Sequence, residues 1–405
     1  MPREILRHHL WITLTALAVF FTNLGVPHLW DDDEPKNAEC AREMLVRGDW
    51  IVPTFNEELR YDKPALLYWL MIAAYRAFGV NEFAARLPSA VLAVVTTLAT
   101  YHCGRLLFHP RVGLWAALAI STSVLFVVAG RAATPDSALV CSTTLAMLAF
   151  VRATWGNAGN QLHASSRSLA DYVPRSAGAW AMVYAAMAAG VLAKGPVAVV
   201  LPTAVIGAYL LCVKQLLWIS EGKGASDRMN ASKWQRIRHL LSPRAFVEVV
   251  WQMRPFTALA MVAAIALPWY LAVGLRTGGD WLAGFLGTHN IGRFLKPMEG
   301  HKGPIVYYVP AIALGFFPWS VFLPLGLAQF TSRVRSSSAW AAYLFVACWA
   351  GAYVGFFSFS GTKLPSYVLP AYPALALIVA AFVERWLREP ATVARWALWP
   401  ALGAM

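Results

Sequence analysis

An all-α, polytopic membrane protein is the fold class this 405-residue sequence predicts, and three observations predict it. Hydrophobic residues make up 58% of the chain and charged residues only 14%, with a mean hydropathy of +0.52; ordinary soluble chains carry about 25% charged residues. Apolar stretches of about 18 residues or more recur between short polar ones, as helices crossing a ~30 Å hydrocarbon core require. The charge is also one-sided. With Met1 placed inside and the spans alternating, the inner connections collect 20 Lys/Arg and 7 Asp/Glu while the outer ones collect 14 of each, so the whole formal +13 falls inside, as the distribution of basic residues in membrane proteins demands.

The spans are expected at about 10–30, 86–108, 111–130, 137–155, 178–193, 196–213, 256–275, 305–328, 338–358 and 365–383, with a last one starting near Arg395, about 11 in all. The first is too long for a removed signal peptide and lacks a small-residue cleavage site, so it reads as a retained anchor. It ends at Trp30-Asp31-Asp32-Asp33-Glu34-Pro35, four carboxylates in a row where the bilayer penalises charge. The outer loop that follows, 31–85, is far longer than a turn needs. Within it, Ala38, Ala41, Met44 and Leu45 fall at helical spacing with Glu39, Arg42, Glu43 and Arg47 opposite, which predicts an amphipathic helix at the membrane surface. Pro35 suits its first turn, and the carboxylates suit the positive end of its dipole. Pro64 to Gly79 is apolar but only 16 residues long and interrupted by Arg76, so it reads as a second interfacial helix.

The next outer turns are Arg131 to Asp136 and Lys194-Gly195-Pro196. The loop 214–255 is the most basic inner segment; it reads as a topology anchor touching anionic lipid. No Gly-rich phosphate loop accompanies it, so neither a nucleotide cofactor nor nucleic acid is expected. The outer loop 276–304 holds His289, Asn290, Arg293, Lys296, His301 and Lys302, and the last outer turn is Thr362-Lys363-Leu364-Pro365-Ser366-Tyr367. Of five cysteines only Cys40 lies in an outer loop, which argues against a disulfide framework.

The unusual polar residues therefore collect on one face. A lone Arg snorkels, a lone His caps a helix and a Lys-Leu-Pro turn anchors an interface; four such segments on one side, with Arg60-Tyr61-Asp62-Lys63-Pro64 between the interfacial helices, predict a pocket at the outer surface. Cations with a Tyr suit a phosphate, apolar walls suit a lipid tail, and carboxylates suit activation of a nucleophile. A lipid-linked phosphoryl donor meets all three. A transporter is the alternative of another class, and it predicts inverted repeats and ionisable groups near the midplane, neither of which the sequence displays; another lipid-carrier-dependent enzyme is the remaining one.

The motifs resemble a known family. Asp33-Glu34-Pro35-Lys36-Asn-Ala-Glu39, Gly48-Asp49-Trp50-Ile51-Val52-Pro53, Arg60-Tyr61-Asp62-Lys63-Pro64 with Tyr68-Trp69, Arg131 with Pro135-Asp136, Lys194-Gly195-Pro196, His289 with Arg293-Phe294, His301 with Tyr307-Tyr308, and Lys363 to Pro370 follow one another in the order of the bacterial aminoarabinose transferase and protein O-mannosyltransferase superfamily of membrane (C-type) glycosyltransferases. The resemblance implies a single transmembrane domain over 1–405 with the C-type glycosyltransferase fold, the family's C-terminal soluble region and final spans being absent as from a fragment. It implies an inner-membrane, multi-pass enzyme with a cytoplasmic N-terminus and an extracytoplasmic site. Such an enzyme moves a sugar, with inversion, from a polyprenyl-phosphate donor to a lipid or protein acceptor. By position it assigns Asp33 as base or acceptor-positioning residue and Asp136 as the second catalytic carboxylate. The donor phosphate goes to Lys36, Tyr61, Lys63, Arg293, Lys363 and Tyr367. Asp62, His289 and His301 fall where some members bind a divalent metal such as zinc. Departures are Lys36 where many members have Arg, Asp62 where they have Glu, and Ala65 where they have a second Pro.

Overall fold

The structure is a computed structural model, and it describes residues 3–30, 32–156, 168–220, 232–240, 242–295, 300–336 and 339–390. Asp31, Lys296 and the span expected from Arg395 lie outside the described residues. What is described is almost wholly helical: α1 (Arg3–Phe21), α2 (Asp33–Arg47), a two-residue antiparallel ribbon of β1 (Thr54–Phe55) and β2 (Glu58–Leu59), α3 (Leu66–Phe78), α4 (Glu82–Leu107), α5 (Pro110–Ser121), α6 (Val124–Arg131), α7 (Asp136–Trp155), α8 (Ala177–Lys194) and α9 (Val197–Ser220). Further helices run over Lys233–Leu240, Pro243–Gln252, Pro255–Ile265, Leu267–Arg276, Tyr308–Gly315, Leu323–Ser336, Trp340–Ser358 and Tyr372–Arg388.

Among the described residues six helices are long and apolar enough to cross a membrane, and up to nine spans result if each of three bent pairs counts as one. The expected count of about 11 is therefore not met by these residues. Three expected spans are broken. The 111–130 segment bends by 66° between Ser121 and Val124, 256–275 by 47° around Ala266, and 305–328 by 117° between Gly315 and Trp319. Each break coincides with a local cause: Ser121, Thr122 and Ser123 return their hydroxyls to carbonyls of the preceding turn, Pro268 removes an amide, and Pro318 follows the Gly315 break. The first helix stops at Phe21 and not near Trp30, because Asn23 takes a left-handed φ of 55° and Arg131 donates to the carbonyls of Val19 and Thr22 at 2.7 Å each.

Packing within the bundle follows membrane rules, in which close contact and small residues replace the hydrophobic drive. α4 and α7 bring Ala90, Ala93, Thr97, Thr100, Ser137, Val140 and Thr144, all buried, into the core. At the α4–α5 crossing a Cβ on Gly113 would stand 2.4 Å from the Tyr101 carbonyl, so only glycine lets the two backbones meet there. Helix Tyr372–Arg388 has an unbroken buried run from Tyr372 to Glu384 and forms the centre of the bundle, in keeping with its all-round apolarity.

Candidate functional site

The first loop is pinned before it can carry chemistry. Glu34, on the first turn of α2 and 1% exposed, takes a two-pronged ion pair from Arg86 of α4 at 2.9 and 2.8 Å and accepts from the backbone amides of Trp30 and Ala133. Arg86 uses its remaining donors on the carbonyls of Leu24, Pro27 and His28. One carboxylate thus joins α2, α4 and the α6–α7 turn. Asn37, one turn on, donates to the Ala133 carbonyl and accepts from the buried Arg60 at 3.1 Å. Three indoles fasten the strand-like stretch beside it: Trp69 donates to the carbonyl of Trp50, Trp269 to that of Ile51 and Trp281 to that of Arg60. Asp33, next to the buried Glu34, is exposed.

Around this frame the outer segments meet. Asp136, at the start of α7, forms an ion pair with Lys194 at the end of α8, and the Lys194 ammonium lies 5.6 Å from the centre of the Tyr367 ring. Lys63 lies within electrostatic reach of Lys194, Asp33, Arg293 and Asp136. Burial first, and then the neighbouring Lys194, hold the Lys63 ammonium below its ordinary lysine range, against the pull of Asp33. Two carboxylates therefore face three cations in a partly desolvated space. The excess is one positive charge, which an anionic ligand such as a phosphodiester would relieve.

Arg293 arrives on an unusual element. Residues Ala283–Gly292 form a π-helix of ten residues; π-turns are rare, mostly a single turn long, and frequent at functional sites. It carries His289, whose Nε2 lies 3.2 Å from Asp62 Oδ1 and whose ring stands 5.5 Å from that of Tyr61. Arg60 approaches the other Asp62 oxygen at 3.5 Å. At the foot of this element Phe285 and Asn290 press on Gly195, which has φ +87° and ψ −160°. A Cβ there would lie 2.7 Å from the Phe285 ring. Gly195→Ala is expected to cost about 1–3 kcal/mol in backbone strain alone and to displace the π-helix from Lys194; a melting temperature within one degree of wild type would refute the contact.

The predicted residues divide accordingly. Asp33, Asp136, Lys63 and Arg293 are brought together, with Tyr367 at the edge through Lys194 and Tyr61 at the edge through His289. Lys36 is not: half-exposed, it pairs with Asp32 at 3.6 Å, one turn back along α2. Lys363 is corrected outright as a phosphate ligand. It is 4% exposed, and its ammonium donates to the carbonyls of Phe357, Ser358 and Ser360, so its three protons close the end of helix Trp340–Ser358. His301 is not gathered with Asp62 and His289 into a metal-holding group. Its carbonyl accepts from the Lys363 amide, and among the described residues no group of three His, Cys, Asp or Glu could hold a metal ion. Asp62 and His289 by themselves are one protein ligand short of the three that an open, water-bearing zinc site takes. Lys194, paired with Asp136 and close to the Tyr367 ring, is the cation that sequence reasoning left out of the candidate site; its Lys-Gly-Pro turn between two apolar segments was the available signal.

Comparison with known proteins follows the same lines. Residues 62–223 match the family described as dolichyl-phosphate-mannose-protein mannosyltransferase. The chain is similar to the undecaprenyl phosphate-alpha-4-amino-4-deoxy-L-arabinose arabinosyl transferase of Edwardsiella ictaluri, 30% identical over 384 residues that cover 94% of this chain and 60% of the relative. The enzyme of the same name from Erwinia tasmaniensis is 29% identical, with 92% and 59% covered. The chain thus spans about 60% of the length of these relatives. Among solved structures, ArnT from Cupriavidus metallidurans in the apo state superposes with a TM-score of 0.66 at 26% identity, covering 95% of this chain and 62% of that one. The same protein bound to undecaprenyl phosphate gives 0.71 at 24% identity, with 98% and 69% covered. The archaeal oligosaccharyltransferase AglB from Archaeoglobus fulgidus shares the fold at a TM-score of 0.58 and 14% identity, with 99% and 54% covered.

Proposed function

We propose that the chain belongs to the membrane C-type glycosyltransferase superfamily of bacterial aminoarabinose transferases and protein O-mannosyltransferases, a reading its matches support, and that it transfers a sugar from a polyprenyl-phosphate donor to a lipid or protein acceptor at the outer face of the inner membrane. The observation that carries this reading is the excess of cation around Lys63, Lys194 and Arg293 beside Asp33 and Asp136. The N-terminus is then cytoplasmic, and α2 and α3 lie as interfacial helices beneath the site.

The chemistry follows from that cluster. An acceptor hydroxyl oxygen attacks the anomeric carbon from the face opposite the phosphate, the bond from that carbon to the phosphate oxygen breaks, and the configuration inverts. The electron pair leaves with the polyprenyl phosphate, whose growing negative charge Lys63, Arg293 and Lys194 stabilise in a site of low dielectric. The hydroxyl proton passes to Asp33. When the acceptor is instead a lipid phosphate, already anionic, Asp33 orients it and takes no proton. Asp136 holds Lys194 in place in both cases. No step requires the Asp62–His289 pair to bind metal.

The test is to incubate the purified protein with a panel of polyprenyl-phosphate sugars and acceptors and to analyse lipid and protein products by mass spectrometry. Consumption of donor with a sugar-bearing product of inverted anomeric configuration supports the proposal. Intact donor across the panel, with acceptors of both classes present, sinks it. Lys63→Ala is expected to raise the donor KM at least tenfold while leaving the acceptor KM within about twofold, because it removes a phosphate contact of roughly 1.5–3 kcal/mol. The pH dependence has a definite sign: Lys63 is depressed, so its charge is lost at lower pH than an ordinary lysine's. Donor affinity should accordingly fall on the alkaline side, and Lys63→Arg should move that fall to higher pH.

A further inference from the structure

A second cationic site lies at the other end of the bundle. α4 carries Arg86 at the first-loop frame and His102 sixteen residues later, about 24 Å along the helix axis at 1.5 Å per residue. α7 starts with Asp136 and carries Arg152 after the same interval, so His102 and Arg152 share one depth on the membrane face opposite Asp33. The charged and titratable groups facing His102 are Arg105, His9 and Arg152. The two rings are in contact, His9 Nε2 to His102 Nε2 at 3.2 Å, and His9 Nδ1 donates to the Ile5 carbonyl at 2.8 Å. His9 Nε2 is then the acceptor of the pair, and His102 supplies the proton.

The carboxylates nearby are already engaged. Glu4 takes His8 and Arg111, and Glu384 takes Arg388 and Arg111. Among the described residues neither Arg105 nor Arg152 has a carboxylate within ion-pair distance, and Arg105 Nε is buried with no hydrogen-bond partner. Cations in the last turn of a helix are favoured by its dipole. That accounts for each arginine singly and not for two arginines and two histidines gathered with no carboxylate of the described residues in ion-pair reach of either arginine.

What adjoins the patch selects the ligand. His9 borders a stripe of α1 formed by Leu6, Leu10, Leu14 and Leu17, exposed by 66, 57, 50 and 43%. An anionic head over an apolar lane is the chemistry of a phospholipid and not of free phosphate. We propose that Arg105 and Arg152, with His102 and His9, bind the phosphate of an anionic phospholipid whose chains lie along the Leu6–Leu17 face of α1.

The experiment uses the purified chain in mild detergent and native mass spectrometry with three probes: phosphatidylglycerol, phosphatidylcholine and sn-glycerol 3-phosphate. Wild type should retain phosphatidylglycerol saturably, at least tenfold more tightly than phosphatidylcholine, and glycerol phosphate should not displace it. Arg105→Gln/Arg152→Gln should weaken retention at least tenfold. Arg238→Gln/Arg244→Gln, which removes the same charge from the basic loop, should stay within twofold of wild type. Equal retention of the two lipids, displacement by glycerol phosphate, or equal loss in both double variants would overturn the proposal. Should Arg105→Gln/Arg152→Gln not fold, the lipid preference and the displacement result on wild type decide it by themselves.

Discussion

Asp33→Asn is expected to lower turnover on a hydroxyl acceptor by about two to four powers of ten, the range general-base catalysis supplies, with the fold left intact. The side chain is exposed at the head of α2, and Asn keeps its size and its preference for a helix start, so what the substitution removes is the charge and the proton-accepting oxygen. Donor KM should stay within about threefold, because the phosphate contacts are the cations opposite. The measurement is kcat and donor KM on the donor that the panel identifies, beside a melting curve. Turnover within threefold of wild type on a hydroxyl acceptor would remove Asp33 from the proton transfer, and Asp136→Asn would be the next variant to assay.

The sequence made the heart of this site legible because its residues stand at the ends of apolar segments, where a charge has few structural reasons to be. Asp33, Lys63, Asp136 and Arg293 come from four separate stretches, and alternation of spans was enough to put them on one face. What failed failed for local reasons. Lys363 sits in a turn between apolar segments like Lys63, but the turn closes helix Trp340–Ser358, whose orphan carbonyls accept hydrogen bonds from its ammonium. Hydropathy carries no record of that geometry. His301 shares a loop with His289, yet the π-helix Ala283–Gly292 directs His289 toward Asp62 while the backbone at His301 pairs with Lys363. The breaks at Ser121–Val124, Ala266 and Gly315–Trp319 were hidden because windows of about 19 residues average over a bend. Each break nevertheless had a Ser/Thr cluster or a proline in view.

Adjacent carboxylates in one motif are expected to fail in opposite ways. Where Asp33→Asn removes chemistry and leaves the fold, Glu34→Ala should remove the fold's anchor: the side chain is 1% exposed and meets Arg86 through both oxygens, plus two backbone amides. Deleting one partner of a buried pair leaves the other as an uncompensated charge, at a cost of about 3–5 kcal/mol. Arg86 keeps the carbonyls of Leu24, Pro27 and His28, which soften but do not replace a carboxylate. Arg86→Ala should destabilise by a similar amount, and the double variant by less than the sum, since the second change removes the orphaned charge created by the first. The readout is loss of monodisperse protein on heating in detergent, taken together with insertion of the chain. A Glu34→Ala protein that melts like wild type, or energies that add across the cycle, would mean that the pair does not join α2 to α4. The helix geometry behind the motif fits this division: residues 33 and 34 are turned about 100° apart on a 3.6-residue helix, so with Glu34 locked inward against Arg86, Asp33 is directed outward, where the other outer segments assemble.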